Sequence, residues 1–72
     1  MPHFVQSVLV PRHLFSIEGA ADWVTKHGYH VTKIDTARNF YRFRQASPHR
    51  YAGGRYVTQR LPNGVELVLY YY

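Results

Sequence analysis

The sequence predicts an α+β domain, one helix packed on a four- to five-stranded, mainly antiparallel sheet, in the order β-α-β-β-β-β. Three observations lead there. Ile17, Ala20, Ala21 and Val24 fall at i, i+3, i+4 and i+7, the single apolar stripe of an amphipathic helix. Runs rich in β-branched and aromatic residues flank that stripe on both sides. Asn63-Gly64, set between two alternating runs, is the strongest short hairpin signal a sequence carries.

Each element has a local cause. Residues 4–10 (Phe-Val-Gln-Ser-Val-Leu-Val) are apolar and β-branched with two polar interruptions, so they read as a strand that Pro11 stops. Ser16 is placed to cap the helix N-terminus, Glu18 sits near the positive end of its dipole, and Trp23 flanks the apolar stripe. Gly28 fits the left-handed position that ends a helix after His27. Strands are then expected at 29–34, 40–45, 55–61 and 65–71. Asp35 to Asn39 is expected as a turn, 47–54 as the longest loop, and Pro62-Asn63-Gly64 as the hairpin turn.

The 72 residues are read as one domain, 1–72, with 46% apolar and 17% aromatic content. A chain of this size buries only about 60% of its unfolded surface, so its stability margin is thin. Cysteine is absent, which removes disulfides, thiolate metal sites and cysteine nucleophiles. No apolar run approaches the roughly 18 residues of a membrane span. The opening Met1-Pro2-His3-Phe4 lacks the basic and long apolar regions of a signal peptide. The expectation is an intracellular-type domain that is not secreted and has no membrane partner.

Charge is distributed unevenly. The stretch 36–65 holds six arginines (Arg38, Arg42, Arg44, Arg50, Arg55, Arg60) and no Asp, Glu or Lys, a charge of +6. The remainder sums to −1, which gives the net +5. Arginine forks onto phosphate or carboxylate and stacks on flat rings, whereas lysine mostly adds solubility. Strand alternation puts Tyr41, Phe43, Val57, Leu61, Val65, Leu67 and Leu69 under the helix. It leaves Phe40, Arg42, Arg44, Tyr56, Thr58, Arg60, Val68 and Tyr70 on the opposite face. One helix covers one face of such a sheet, so the other is expected to be an open plate of arginines and rings.

Four segments together carry a resemblance: Val-Gln-Ser-Val (5–8), Trp-Val-Thr-Lys-His-Gly-Tyr (23–29), Tyr-Arg-Phe-Arg-Gln (41–45) and Leu-Pro-Asn-Gly-Val-Glu-Leu-Val (61–68). The chain resembles small, functionally uncharacterised proteins of tailed phages and large DNA viruses. The motifs are structural, so the resemblance implies a setting and no catalytic residue. That setting is a viral accessory or virion-associated protein, in the cytoplasm of an infected host cell or inside the virion.

Nucleic acid is the preferred partner. Arginines neutralise phosphate, and exposed rings stack unpaired bases. Arg42, Arg44, Tyr56 and Arg60 on the open face, with Arg50 and Arg55 in the glycine-rich 47–55 loop, supply both ingredients. The arrangement shares the sheet-plus-aromatics logic of RRM domains, although the RNP1 consensus is absent. The rival is assembly with itself or a viral structural protein through Tyr70, Tyr71 and Tyr72 and the arginine face, since tyrosine and arginine are enriched at interface hot spots. A third possibility is a small ribonuclease-type toxin in which His49 is the acid or base and Arg42 or Arg55 stabilises the phosphorane-like charge. No positioned partner for His49 is visible, so the expectation is no enzyme. His27 and His30, with His3 and His13 distant and no cysteine nearby, do not form a metal set. No cofactor and no small-molecule substrate are expected.

Overall fold

The computed structural model describes residues 2–47 and 53–72. Among these residues the chain forms β1 (His3–Pro11), α1 (Ile17–Lys26), β2 (Ile34–Thr36), β3 (Phe40–Arg44), β4 (Arg55–Arg60) and β5 (Glu66–Tyr71). The five strands make one sheet in the order β2-β3-β1-β5-β4, with every neighbouring pair antiparallel. The α+β order β-α-β-β-β-β is as the sequence predicts.

The helix begins and ends for the expected reasons. Ser16 Oγ accepts a hydrogen bond from the Gly19 amide at 3.1 Å. At the other end Gly28 takes φ 82°, letting its amide reach the Thr25 carbonyl and the Tyr29 amide reach Val24. Ala20 and Val24 from the helix close over Val8, Val10, Phe43 and Val65, all fully buried. Trp23 lies at the edge of this core and stacks on His27, with ring centroids 3.8 Å apart.

Strand β1 carries a bulge that periodicity does not reveal. Val5 pairs with Leu69 and Ser7 with Val68, so Gln6 is the extra residue. The bulge switches the face of everything before it. Val5, Val8 and Val10 share the helix side, while Phe4, Ser7 and Leu9 share the other. The Gln6 carbonyl then accepts the amides of Gln45 (2.8 Å) and Ala46 (3.4 Å).

That capture explains why the strand expected at 29–34 forms instead at Ile34–Thr36, partly inside the expected 35–39 turn. Past Arg44 the backbone of β3 turns toward Gln6 and no longer offers a ladder to residues 29–32. The Gln45 side chain substitutes for it, accepting from the His30 amide at 2.7 Å and donating to the His30 carbonyl at 2.8 Å. The β4–β5 hairpin forms, but not with a two-residue Asn-Gly turn. Gly64 donates to the Leu61 carbonyl at 3.0 Å and takes φ 90°, while Asn63 keeps a negative φ. Pro62 fixes its own φ near −65°, which suits the first central position of an ordinary turn followed by a left-handed glycine.

Strand β4 is the other departure. All six of its residues are exposed, Val57 included, because β4 is the sheet edge beyond the reach of α1. The core therefore rests on β1, β3 and β5. We expect Phe43→Ala to cost about 3–5 kcal/mol, a large share of what a domain this small possesses, and Val57→Ala to stay within about 1 kcal/mol. Urea unfolding followed by circular dichroism checks this. Equal losses in the two variants would place the core elsewhere.

Candidate nucleic-acid interface

The register settles which side chains share the face away from α1. Arg42 lies opposite Leu9, Arg44 opposite Ser7, Tyr70 opposite both Phe4 and Tyr56, and Arg60 opposite Glu66. The open face therefore gathers Arg42, Arg44, Tyr56 and Arg60. Arg55 is not among them. It pairs with Tyr71 on the helix side of the sheet, its guanidinium carbon 5.8 Å from the Tyr71 ring centroid. Arg50 and His49 lie outside the described residues, as does most of the expected 47–54 loop. Arg42 and Arg55, the alternative arginines for a His49-centred chemistry, lie on opposite sides of the sheet.

One end of the open face is aromatic. Phe4, Tyr56 and Tyr72 surround or adjoin Tyr70, with Tyr56–Tyr70 centroids at 4.9 Å, Phe4–Tyr70 at 5.6 Å and Phe4–Tyr72 at 5.8 Å. Tyr70 is the buried foundation, and its hydroxyl accepts from the Gly54 amide at 3.0 Å. A side chain at Gly54 would put its Cβ 2.5 Å from the Tyr71 carbonyl oxygen and closer still to the Tyr70 ring. Only glycine permits so close an approach. Tyr56, 53% exposed, and Tyr72, 40% exposed, carry the accessible surface of the group.

The tyrosine-rich end of the chain is therefore part of the sheet. Tyr70 and Tyr71 are the last residues of β5, and the Tyr72 amide donates to the Pro2 carbonyl at 3.1 Å. Tyr71, on the helix side, stacks on His3 with centroids 4.7 Å apart. Of the three, Tyr72 is the exposed one.

The three arginines of this face sit in different surroundings. Arg42 is half-buried, donating from Nε to Ser7 Oγ at 3.1 Å and from a terminal nitrogen toward Gln6 Oε1 at 3.5 Å. Ser7 Oγ in turn donates to Gln6 Oε1 at 2.6 Å, and Gln6 Nε2 donates to the Ala46 carbonyl. Arg42 thus closes a buried polar network over the bulge. Arg44 faces Asp35 at 3.9 Å, both well exposed, and Arg60 pairs with Glu66 at 3.2 Å. Two carboxylates against three guanidiniums leave the face only mildly positive. Lys26 is neutralised elsewhere. Its hydrogen bond to Asp22, and then the charge of that carboxylate, hold its pKa above the ordinary lysine value.

Gln6 and Ser7 are the site residues that charge and motif analysis passed over. Their signal was the polar pair inside an otherwise apolar strand. Arg44 also borders an open concavity of about 250 Å³ with His30, Lys33 and Ser47, where the chain leads into residues 48–52. Among the described residues no three His, Asp or Glu side chains cluster as a metal site, and no helix is long and apolar enough to cross a membrane. No family model matches the chain, and neither the curated proteins nor the solved structures include a significant match.

The two kinds of arginine separate by experiment. Arg42→Ala leaves buried polar atoms without their cap, and is expected to cost about 1–3 kcal/mol of stability. Arg44→Ala breaks a long, exposed pair and should cost less than about 1 kcal/mol. Thermal unfolding of both variants decides. An Arg42→Ala protein as stable as the parent would show that the network needs no cap.

Proposed function

We propose that this protein is a non-enzymatic accessory protein of viral type that binds single-stranded nucleic acid through the open face of its sheet and the 47–55 segment. The observation that supports this most is the contiguous ring group of Phe4, Tyr56, Tyr70 and Tyr72 on the face no helix covers. Arg42 and Arg44 stand on β3, across β1 from β5, which carries Tyr70. Bases stack on such rings only when unpaired, and a flat sheet face presents neither helix nor ribbon to a duplex groove. Tyr56 is the stacking platform, held by Tyr70 beneath it. Arg44 meets a phosphate by exchanging its exposed pairing with Asp35 for a stronger forked contact, and Arg60, well exposed beside half-buried Glu66, meets another.

The competing reading is assembly, and one observation favours it. β4 is a fully exposed edge strand, and unpaired strand edges attract other strands. Arg55 and Arg60 at its two ends oppose pairing with another copy, since like charges would be drawn close.

Fluorescence anisotropy with single- and double-stranded oligonucleotides, alongside light scattering, separates the two. Single strands should bind more tightly than duplex, with affinity falling about tenfold between roughly 50 and 200 mM salt, the slope for two to three phosphate contacts. Tyr56→Ala should cost about 1–3 kcal/mol of binding without unfolding the protein. A defined oligomer that binds no oligonucleotide at low salt would replace this reading with assembly.

A further inference from the structure

At the end of the sheet where β1 finishes, two loops meet and bring together basic groups that lie outside the open face. The chain leaving β1 places Arg12 and His13 beside the turn that joins β2 to β3. The Arg12 amide donates to the Asn39 carbonyl at 3.0 Å. Its side chain crosses the same turn, one terminal nitrogen (Nη1) donating to the Ala37 carbonyl at 2.9 Å and the Arg38 carbonyl at 3.2 Å. The guanidinium carbon stands 5.6 Å from the centroid of the Tyr41 ring. Arg12, His13, Arg38, Asn39 and Tyr41 line a concavity of about 350 Å³.

We propose that this concavity binds a phosphate monoester. Three observations converge on that ligand class. First, Arg12 is held in place before any ligand arrives. The carbonyls take one nitrogen, and Nε and the other terminal nitrogen make no hydrogen bond among the described residues. A guanidinium fixed this way loses little freedom on binding an anion. Second, no carboxylate lines the concavity. Asp35, the nearest acid along the chain, pairs with Arg44 and belongs to the opposite face of the sheet by register. Every arginine of the open face has a carboxylate or a buried polar partner, whereas the Arg38 and His13 side chains make no hydrogen bond or ion pair among the described residues. Third, the donors suit a tetrahedral anion. Two guanidiniums, an imidazole and the Asn39 amide supply several N–H groups, and Tyr41 adds a hydroxyl and an apolar wall. The volume lies at the low end for small-ligand pockets, which fits a phosphate with one attached group and no long substrate.

This site shares none of the ring group, so it stands independently of single-strand binding on the open face. Two sources carry the same chemistry, the terminal phosphate of a nucleic-acid strand and a free nucleotide.

Amide-resolved NMR titration of the full chain with inorganic phosphate tests the proposal, with chloride at matched ionic strength as the reference. Saturable shifts confined to residues 12–13 and 37–41 are expected, with none from chloride. Arg38→Ala should weaken phosphate binding about tenfold or more, the effect of losing a charge-assisted contact. Lys26→Ala, which removes the same charge at a distant place, should leave it unchanged. Arg12 also ties two loops together, so Arg38→Ala and His13→Ala are the informative variants even if Arg12→Ala does not fold. Repeating the titration with a nucleoside 5′-monophosphate, and with 5′-phosphorylated against 5′-hydroxyl oligonucleotides, identifies the source. Either preference supports the site. Shifts that never saturate, that spread equally over residues 42–44 and 55–60, or that survive Arg38→Ala would overturn it.

Discussion

The two ends of the described chain pair with each other in the middle of the sheet. β1 sits at the centre, hydrogen-bonded to β5 on one side and β3 on the other, from His3 opposite Tyr71 to Leu9 opposite Glu66. Closing so long a loop costs only logarithmically more than closing a short one, but nothing local offsets that cost until the strands meet. Every other feature hangs from this pairing. Val8 and Val10 present the surface on which Ala20 and Val24 land. On the reverse side, Phe4 adjoins Tyr70, and Ser7 receives Arg42. Arg12, the first residue past β1, ties down the β2–β3 turn. A sheet without its central strand would keep two hairpins, β2–β3 and β4–β5, with no core between them.

Within β1 the bulge at Gln6 decides what each face is made of. Strict alternation through residues 4–10 would place Phe4 on the same side as Val8 and Val10. One extra residue moves Phe4 to the open side, where it meets Tyr70 and Tyr72. The bulge also frees a carbonyl that captures the Gln45 and Ala46 amides, and a side-chain amide that Ser7 and Arg42 help to satisfy. A polar pair inside a central strand would ordinarily weaken it. Here both residues are buried yet hydrogen-bonded, so the strand keeps its place and a basic side chain is fixed above it.

What could be read from the sequence was what arises locally. Ser16 and Gly28 act within one turn of the helix they bound, and the 55–61 and 65–71 runs are adjacent in the chain, so caps, hairpin and face assignment followed from period and turn chemistry. β2 did not, because its extent is set by where β3 stops offering a ladder, and that depends on Gln6, some 40 positions upstream. The bulge left only the Gln6-Ser7 pair as a trace. The open face was legible in Arg42, Arg44, Tyr56 and Arg60, and Arg55, expected to act from the loop, joins β4 on the helix side with the parity of Val57. The Arg12, Arg38 and Tyr41 cluster was hidden altogether. Its members come from the residue just past β1, the β2–β3 turn about 25 residues later and the start of β3, and nothing in their spacing announces the meeting.

The arginine-rich stretch shows why a run of charge along a chain is a poor guide to a charged surface. Strand pleating sends Arg42, Arg44 and Arg60 to one side and Arg55 to the other, while Arg38 remains in a turn. The acids that the stretch lacks return from outside it, Asp35 from β2 and Glu66 from β5, each brought beside an arginine by strand pairing. On the open face attraction for a polyanion is thereby muted, and the exposed rings of Tyr56 and Tyr72 carry more of the selectivity, favouring partners with flat, unpaired surfaces of their own. The Arg44–Asp35 pair is exposed on both sides and worth little, so Arg44 gives up its carboxylate readily to a forked phosphate contact, whereas Glu66 is half-buried and holds Arg60 at 3.2 Å. Arg12 and Arg38 have no such carboxylate to give up, and at their end of the sheet a guanidinium from outside the stretch joins one from within it with no acid lining the concavity between them.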